Sequence, residues 1–229
     1  ILLMVTCMEK IAQIIENDRD ALAGIRNRDP RFMNGIVSRF LKPVSRISYR
    51  ILCDRMDSES VTISLFIHIW NHPETFDCED PLEDIVVRHT CRLCRLRLLR
   101  RRLLLFFSVN PAVYVSAVPV VPGADDFISR QAWTLYCRAA RHYSDRQRIV
   151  FTLCELEGYA VGKTSRITGM SVAQVKEALS SSRELLSDEL DRFGRMSDYI
   201  AYIGFLRKVE DQLTDTVRLK RIILLSLQD

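Results

Sequence analysis

Arg88, Arg92, Arg95, Arg97, Arg100, Arg101 and Arg102 crowd into one short stretch, and no Asp or Glu lies between Arg88 and Arg102. Guanidinium groups at that density project a positive field suited to nucleic-acid phosphates, with an affinity that falls steeply as salt rises. A solvated helix face has the same composition, so this stretch establishes a charge rather than a partner. A second stretch, Gly158 to Leu186, has residues suited to reading a duplex. Val161 to Thr168 fits a first helix, and Gly169 can take the positive φ of a sharp turn. Ser171 followed by Gln174 has capping-box spacing at the start of a second helix. Val172, Val175 and Leu179 share one face of that helix, which turns Ala173, Gln174, Lys176, Glu177, Ser180 and Arg183 outward. Led by Ser171, such a helix suits a major groove, with Gln, Lys and Ser reaching base edges or phosphates. An ordinary antiparallel helix pair uses the same small residues and glycine turn, so context must decide.

Other chemistries fit less well. His89, Cys91 and Cys94, with Cys78 nearby, include a Cys-x-x-Cys step that is a legitimate zinc spacing. A second ligand pair is missing, and buried thiols pack as small apolar groups, so the expectation is core packing with no metal and no cofactor. There is no glycine-rich phosphate loop, nucleophile elbow or paired-carboxylate site, which argues against an enzyme.

The elements that must position these residues read as helices throughout. Ile11, Ile14, Ile15, Leu22 and Ile25 keep helical spacing from Met8 to Arg26, and Asp29-Pro30 marks a break. Phe32, Ile36, Val37, Phe40 and Leu41 form a stripe ending near Lys42-Pro43, which Val44, Ile47, Ile51 and Leu52 continue to Cys53-Asp54. Asp57 can cap a third helix with Val61, Leu65, Phe66, Ile69 and Trp70 in its core face, stopped by Asn71-His72-Pro73. Pro81 opens the arginine helix, whose apolar side is Leu82, Ile85, Val86, His89, Leu93, Leu96 and Leu99. From Leu103 to Gly123, Pro111, Pro119 and Pro122 favour an extended connector. A helix over Asp125 to Tyr143 follows. Ser144 with Gln147 then caps a helix that buries Ile149, Val150, Leu153 and Leu156 and leads to Gly158. Phe193, Met196, Ile200, Ile203, Leu206, Val209, Leu213 and Val217 keep helical spacing beyond the motif.

A chain of 229 residues, 48% hydrophobic, can bury one large core or two small ones. Its net charge of +4 is too small to identify a nucleic-acid partner, so the distribution of charge matters more. Seven cysteines without framework spacing favour reduced thiols in a cytoplasm. The opening Ile-Leu-Leu-Met-Val lacks a basic n-region, and neither it nor Leu103 to Phe107 is long enough for a membrane span.

Taken in order, the chain resembles a bacterial RNA polymerase sigma factor of the extracytoplasmic-function (ECF) group, over roughly Asp29 to Arg192. The specific match is Ser144-Asp145-Arg146-Gln147-Arg148, then Glu155-Leu156-Glu157-Gly158, Gly169-Met170-Ser171-Val172, Val175-Lys176 and Arg183. A looser one is Asp57-Ser58-Glu59, Phe66, Trp70 and Pro81-Leu82. The resemblance implies an all-α chain of two helical domains on a linker. A polymerase- and promoter-binding region-two-like domain would span 8–103, the linker 104–124, a region-four-like helix-turn-helix domain 125–192, and a C-terminal helical extension 193–229.

It also implies roles. The Asp57 to Trp70 helix, through Asp57, Glu59, Ser60, Ile63, Ser64 and Ile67, would dock on the coiled coil of the largest subunits of core RNA polymerase. Arg88, Arg92 and Arg95 would meet the melted promoter element nearest the start site. Ser171, Ala173, Gln174, Lys176, Glu177, Ser180 and Arg183 would read the upstream element. Polymerase would do the chemistry. Ser60, Ile63 and Ser64 stand where the family usually has Asp, Gln and Glu. Ala178 and Ser181 replace common basic residues, and Thr164 and Thr168 replace apolar ones. The thinned recognition helix raises the expectation of a separate recruiting DNA-targeting factor, protein or RNA-guided, with the Met196 to Val217 helix as its docking surface unless that helix packs back on the second domain. An anti-sigma factor is a further candidate partner. A helix-turn-helix regulator acting without polymerase, and a pure interaction module, remain the alternative readings.

Overall fold

The Asp29-Pro30 break is a helix start. The Asp29 carboxylate accepts from the Arg31 amide at 2.9 Å, and Pro30 occupies the first turn, where a missing N–H has no helical partner to lose. The computed structural model describes residues 18–76, 80–107, 124–193, 199–208 and 215–227. Helix α1 (Asp18–Arg26) precedes this cap and α2 (Pro30–Leu52) follows it. Pro43 lies inside α2 without ending it, so the two stripes on either side form one buried face from Met33 to Leu52. Packing along that face offsets the hydrogen bond that proline removes. Cys53 closes α2 in the left-handed region, at φ 51°, and donates its N–H to Tyr49 O. Asp54, rather than Asp57, caps α3 (Arg55–Asn71), accepting from the Asp57 amide at 2.9 Å. The Asp57 carboxylate is thereby left for other partners.

After a 3-10 turn (Pro73–Phe76), α4 (Leu82–Phe107) carries the arginines. It continues through Leu103 to Phe107, where the extended connector was expected to begin, and 108–123 lie outside the described residues. Its burial differs from the expected stripe. Leu82, Ile85 and Val86 join one apolar cluster and Val87, Cys91, Cys94 and Leu98 another, while Leu96 and Leu99 are 54% and 48% exposed. A helix covered from two directions buries more than one stripe, and the second cover comes from far along the chain.

That cover is the second half: α5 (Ala124–His142), α6 (Asp145–Phe151), a π turn (Thr152–Leu156), α7 (Val161–Thr168) and α8 (Val172–Phe193). The Ser144–Gln147 capping box has both of its bonds. Ile149, Leu153 and Ile167 share a cluster with Ile47, Ile51, Val61, Val87 and Cys91, so the two halves are joined by a common apolar layer. Polar contacts reinforce it. Tyr49 stacks on Trp133 at 4.9 Å, and Tyr136 donates to Arg50 O at 2.9 Å. Arg50 and Arg46 both bind Glu157 at 2.7 Å, with Arg50 and Glu157 side chains each 3% exposed. The run read as one helix from Met196 to Val217 is instead two. Helix α9 (Tyr199–Lys208) packs on α5, whereas α10 (Thr216–Leu225) packs on α2 and α3. Residues 209–214 lie outside the described residues. The described regular structure is entirely helical.

Removing one partner from a buried ion pair leaves the other charge desolvated and unmatched. Glu157→Ala should therefore cost about 3–5 kcal/mol, read as a lower urea midpoint at an unchanged slope if the two halves still unfold together.

Candidate polymerase and nucleic-acid interfaces

The helix-turn-helix is built as its local signals require. Gly169 ends α7 at φ 70°, and Ser165 Oγ donates across the turn to Met170 O at 2.6 Å. Ser171 N donates to Gln174 Oε1 at 3.0 Å and Gln174 N to Ser171 Oγ at 3.2 Å, completing the capping box of α8. Val175 and Leu179 seat α8 on Val150, but Val172, placed inward by its spacing, is 46% exposed at the first turn. Ser171, Ala173, Gln174, Lys176, Glu177 and Ser180 are exposed, as the periodicity requires. Arg183 is exposed too, yet its Nε donates to Glu155 Oε1 at 2.6 Å, so it ties α8 to the π turn. Thr164 and Thr168 satisfy their hydroxyls locally, against Cys154 Sγ at 3.3 Å and Thr164 O at 2.7 Å.

The arginine helix is less bare than its sequence. Arg88 pairs with Asp80 at 2.7 Å, Arg97 with Asp57 at 3.6 Å, and Arg102 with Asp145. Arg101 pairs with Asp57, lies 3.5 Å from Asp54 and donates to Leu52 O at 3.0 Å. Carboxylates from four other places in the chain thus neutralise most of an acid-free run. Arg92, Arg95 and Arg100 are exposed and make no ion pair among the described residues, and Leu96, Leu99 and Leu103 are interleaved with them.

His89 packs against Phe76 at 4.4 Å and His68 at 5.7 Å. Burial lowers the pKa of both imidazoles; nearby His72 pushes His68 the same way, His68 pushes His89, and Arg92 adds to both. Cys91 and Cys94 are buried, which raises both thiols, Cys94 to about 12. Such thiols stay protonated and act as packing groups. Cys78 lies outside the described residues, among which no His, Cys, Asp or Glu group is arranged to hold a metal.

On α3, Asp57 is committed to Arg97 and Arg101, and Ser60 Oγ accepts from Arg97. Glu59 is buried between Arg55 at 2.9 Å and Arg218 of α10 at 3.3 Å. Ile63 is partly buried against the cluster that contains Leu219 and Ile223. Ile67 is partly buried and Ser64 exposed. Neither the α10 contact nor the Arg97 and Arg101 pairs had a local signal, because every partner is distant in sequence.

The described residues form an all-α body in which a helix-turn-helix packs on an arginine-bearing helix. Among solved structures the chain is similar to the sigma factor RpoE of Bartonella quintana, determined as a co-crystal with the anti-sigma factor NepR. The two share 16% identity at a TM-score of 0.50, over 67% of this chain and 95% of that one. No family model and no curated protein matches the chain. No helix among the described residues is long and apolar enough to cross a membrane.

Two expectations follow from this geometry. Arg92→Ala with Arg95→Ala should lower the slope of log affinity against log salt by about 2, since each phosphate contact contributes roughly 0.9. Arg88→Ala, already matched by Asp80, should lower it less. Anisotropy titrations with labelled DNA over a salt series read both, and an unchanged slope would mean a merely solvated face. The second concerns pH. Both imidazoles are held below 6.5, so on acidification the unfolded chain takes up protons first. Stability from this pair is present above pH 6.5 and is lost as pH falls through the lower folded-state values. The melting temperature should drop over that window, and His89→Gln should shallow the drop.

Proposed function

We propose that this chain is a sigma factor: it binds core RNA polymerase and directs transcription initiation at specific promoters. The observation that carries the reading is α8, a capped helix that turns Ser171, Ala173, Gln174, Lys176, Glu177 and Ser180 to solvent on a fold similar to that of a sigma factor. In this reading α8 enters the major groove at the upstream element and Arg92 and Arg95, with Arg88, meet the melted strand near the start site. The α3 face of Asp57, Glu59, Ser60, Ile63, Ser64 and Ile67 docks on polymerase, which supplies the catalysis. The setting is a cytoplasm.

The α8 surface is sparse. Arg183 is engaged by Glu155, Gln174 also serves the cap, and Glu177 repels phosphate, while Lys176 has no ion pair among the described residues. Each lost contact costs about 1–3 kcal/mol of discrimination, which supports a recruiting DNA-targeting factor, protein or RNA-guided, as a further partner. Because the RpoE structure holds an anti-sigma factor, such a protein is a second candidate. A helix-turn-helix regulator independent of polymerase is the competing reading.

The test is transcription by purified core polymerase with this chain on a promoter library. The expected result is transcripts from defined starts, weak alone and strengthened by a recruiting factor, and lost in Lys176→Ala combined with Arg92→Ala and Arg95→Ala. Duplex binding without any polymerase association would favour the regulator instead.

A further inference from the structure

Helix α10 lies across the face that the proposed function assigns to polymerase. Leu219 and Ile223 are fully buried among α2 and α3 side chains, and Leu224 and Leu227 pack at the margin of the same cluster. Arg218 reaches Glu59 at 3.3 Å, so this carboxylate is held from one side by Arg55 of its own helix and from the other by the C-terminal segment. Lys220 Nζ donates to Ser38 Oγ on α2 at 2.8 Å. The helix is basic, with Arg218, Lys220 and Arg221 and no acid from Thr216 to Leu225, and it meets a surface bearing Glu59. Its cation meets Glu59 and its apolar side is buried in the α2–α3 cluster.

We propose that α10 is an internal competitor for the α3 face, so that the chain as folded binds core polymerase weakly until α10 is displaced. The inference rests on the sigma-factor reading above and adds a regulation to it. A helix of ten residues is marginal by itself, so α10 exists as a helix through its docking. It docks by one side, with Val217 80% and Leu225 54% exposed on the other. The contact also describes the partner that would replace it: a helix offering a cation to Glu59, then apolar side chains one and five residues further on, as Arg218, Leu219 and Ile223 do.

The experiment uses the full chain and measures equilibrium affinity for core polymerase, with hydrogen exchange of α3 and α10 amides as the report on release. Leu219→Asp with Ile223→Asp puts charge into the buried side of α10. Arg218→Glu repels Glu59 from an exposed position and leaves the apolar core intact, which guards against misfolding of the first variant. If roughly one chain in ten has the face open, apparent affinity is reduced about tenfold. The double variant should therefore bind up to about tenfold more tightly, Arg218→Glu should shift the same way by less, and Val217→Asp should bind as the parent does. Tighter binding by Arg218→Glu alone, should the double variant unfold, still supports the competitor. Equal or weaker binding with exchange showing α10 released overturns it and leaves the sigma-factor reading standing. Failure of every form, parent included, to bind polymerase overturns both.

Discussion

Arg50 and Glu157 meet at 2.7 Å with almost no access to water, and the relative placement of the two halves depends on that contact. Both Glu157 oxygens are used: Oε1 accepts from Arg50 and from Arg46 Nε at 3.1 Å, and Oε2 accepts from Arg46 at 2.7 Å. Arg50 also donates to Leu156 O at 2.8 Å and Arg207 O at 3.3 Å, so one guanidinium joins α2, the π turn and α9. Burial pulls Arg50 down to about 10 against the pull of Glu157, which leaves it charged at neutral pH. An apolar substitute of similar volume could match such a pair in stability. What the pair adds is direction, because a planar donor fork and a carboxylate fit in few orientations.

The π turn makes that fit possible. Glu157 N bonds to Thr152 O at 2.9 Å, five residues back, and the helix stops there, leaving its last carbonyls without a later amide. Arginines take them: Arg207 Nε donates to Glu155 O at 2.8 Å, and Arg50 to Leu156 O. The Glu155 side chain holds Arg183, so the same turn is tied to α8. One short segment therefore joins α2, α8 and α9 through Glu155, Leu156 and Glu157.

The helix-turn-helix was legible in the sequence because its determinants are local. Ser171 and Gln174 are three residues apart, Gly169 needs only its own φ, and Val175 and Leu179 follow one period. Asp54 displaced Asp57 as the α3 cap because either aspartate has the right chemistry and only the chain direction after Cys53 selects between them. Leu96 and Leu99 were misplaced because α4 is covered on two sides, and a single-stripe pattern contains no record of a second cover. The neutralisation of Arg97, Arg101 and Arg102 and the fold-back of α10 rest on partners tens of residues away. Spacing cannot report these. The all-α class survived such errors because period and caps determine helices before packing decides which face turns inward.

Helix α7, the first of the helix-turn-helix, sits directly on the N-terminal half of the arginine helix. Ile167 lies in the cluster with Val87 and Cys91, and Lys163 reaches both Glu83 and Asp84 at 3.1 Å. The helix-turn-helix and the arginine helix are thus packed directly on each other through Ile167 and Lys163. While that seat holds, the distance between the exposed face of α8 and the arginines of α4 is a fixed dimension of the protein. If both surfaces meet one promoter, as proposed above, their reach is set by a few contacts around Lys163 and Ile167.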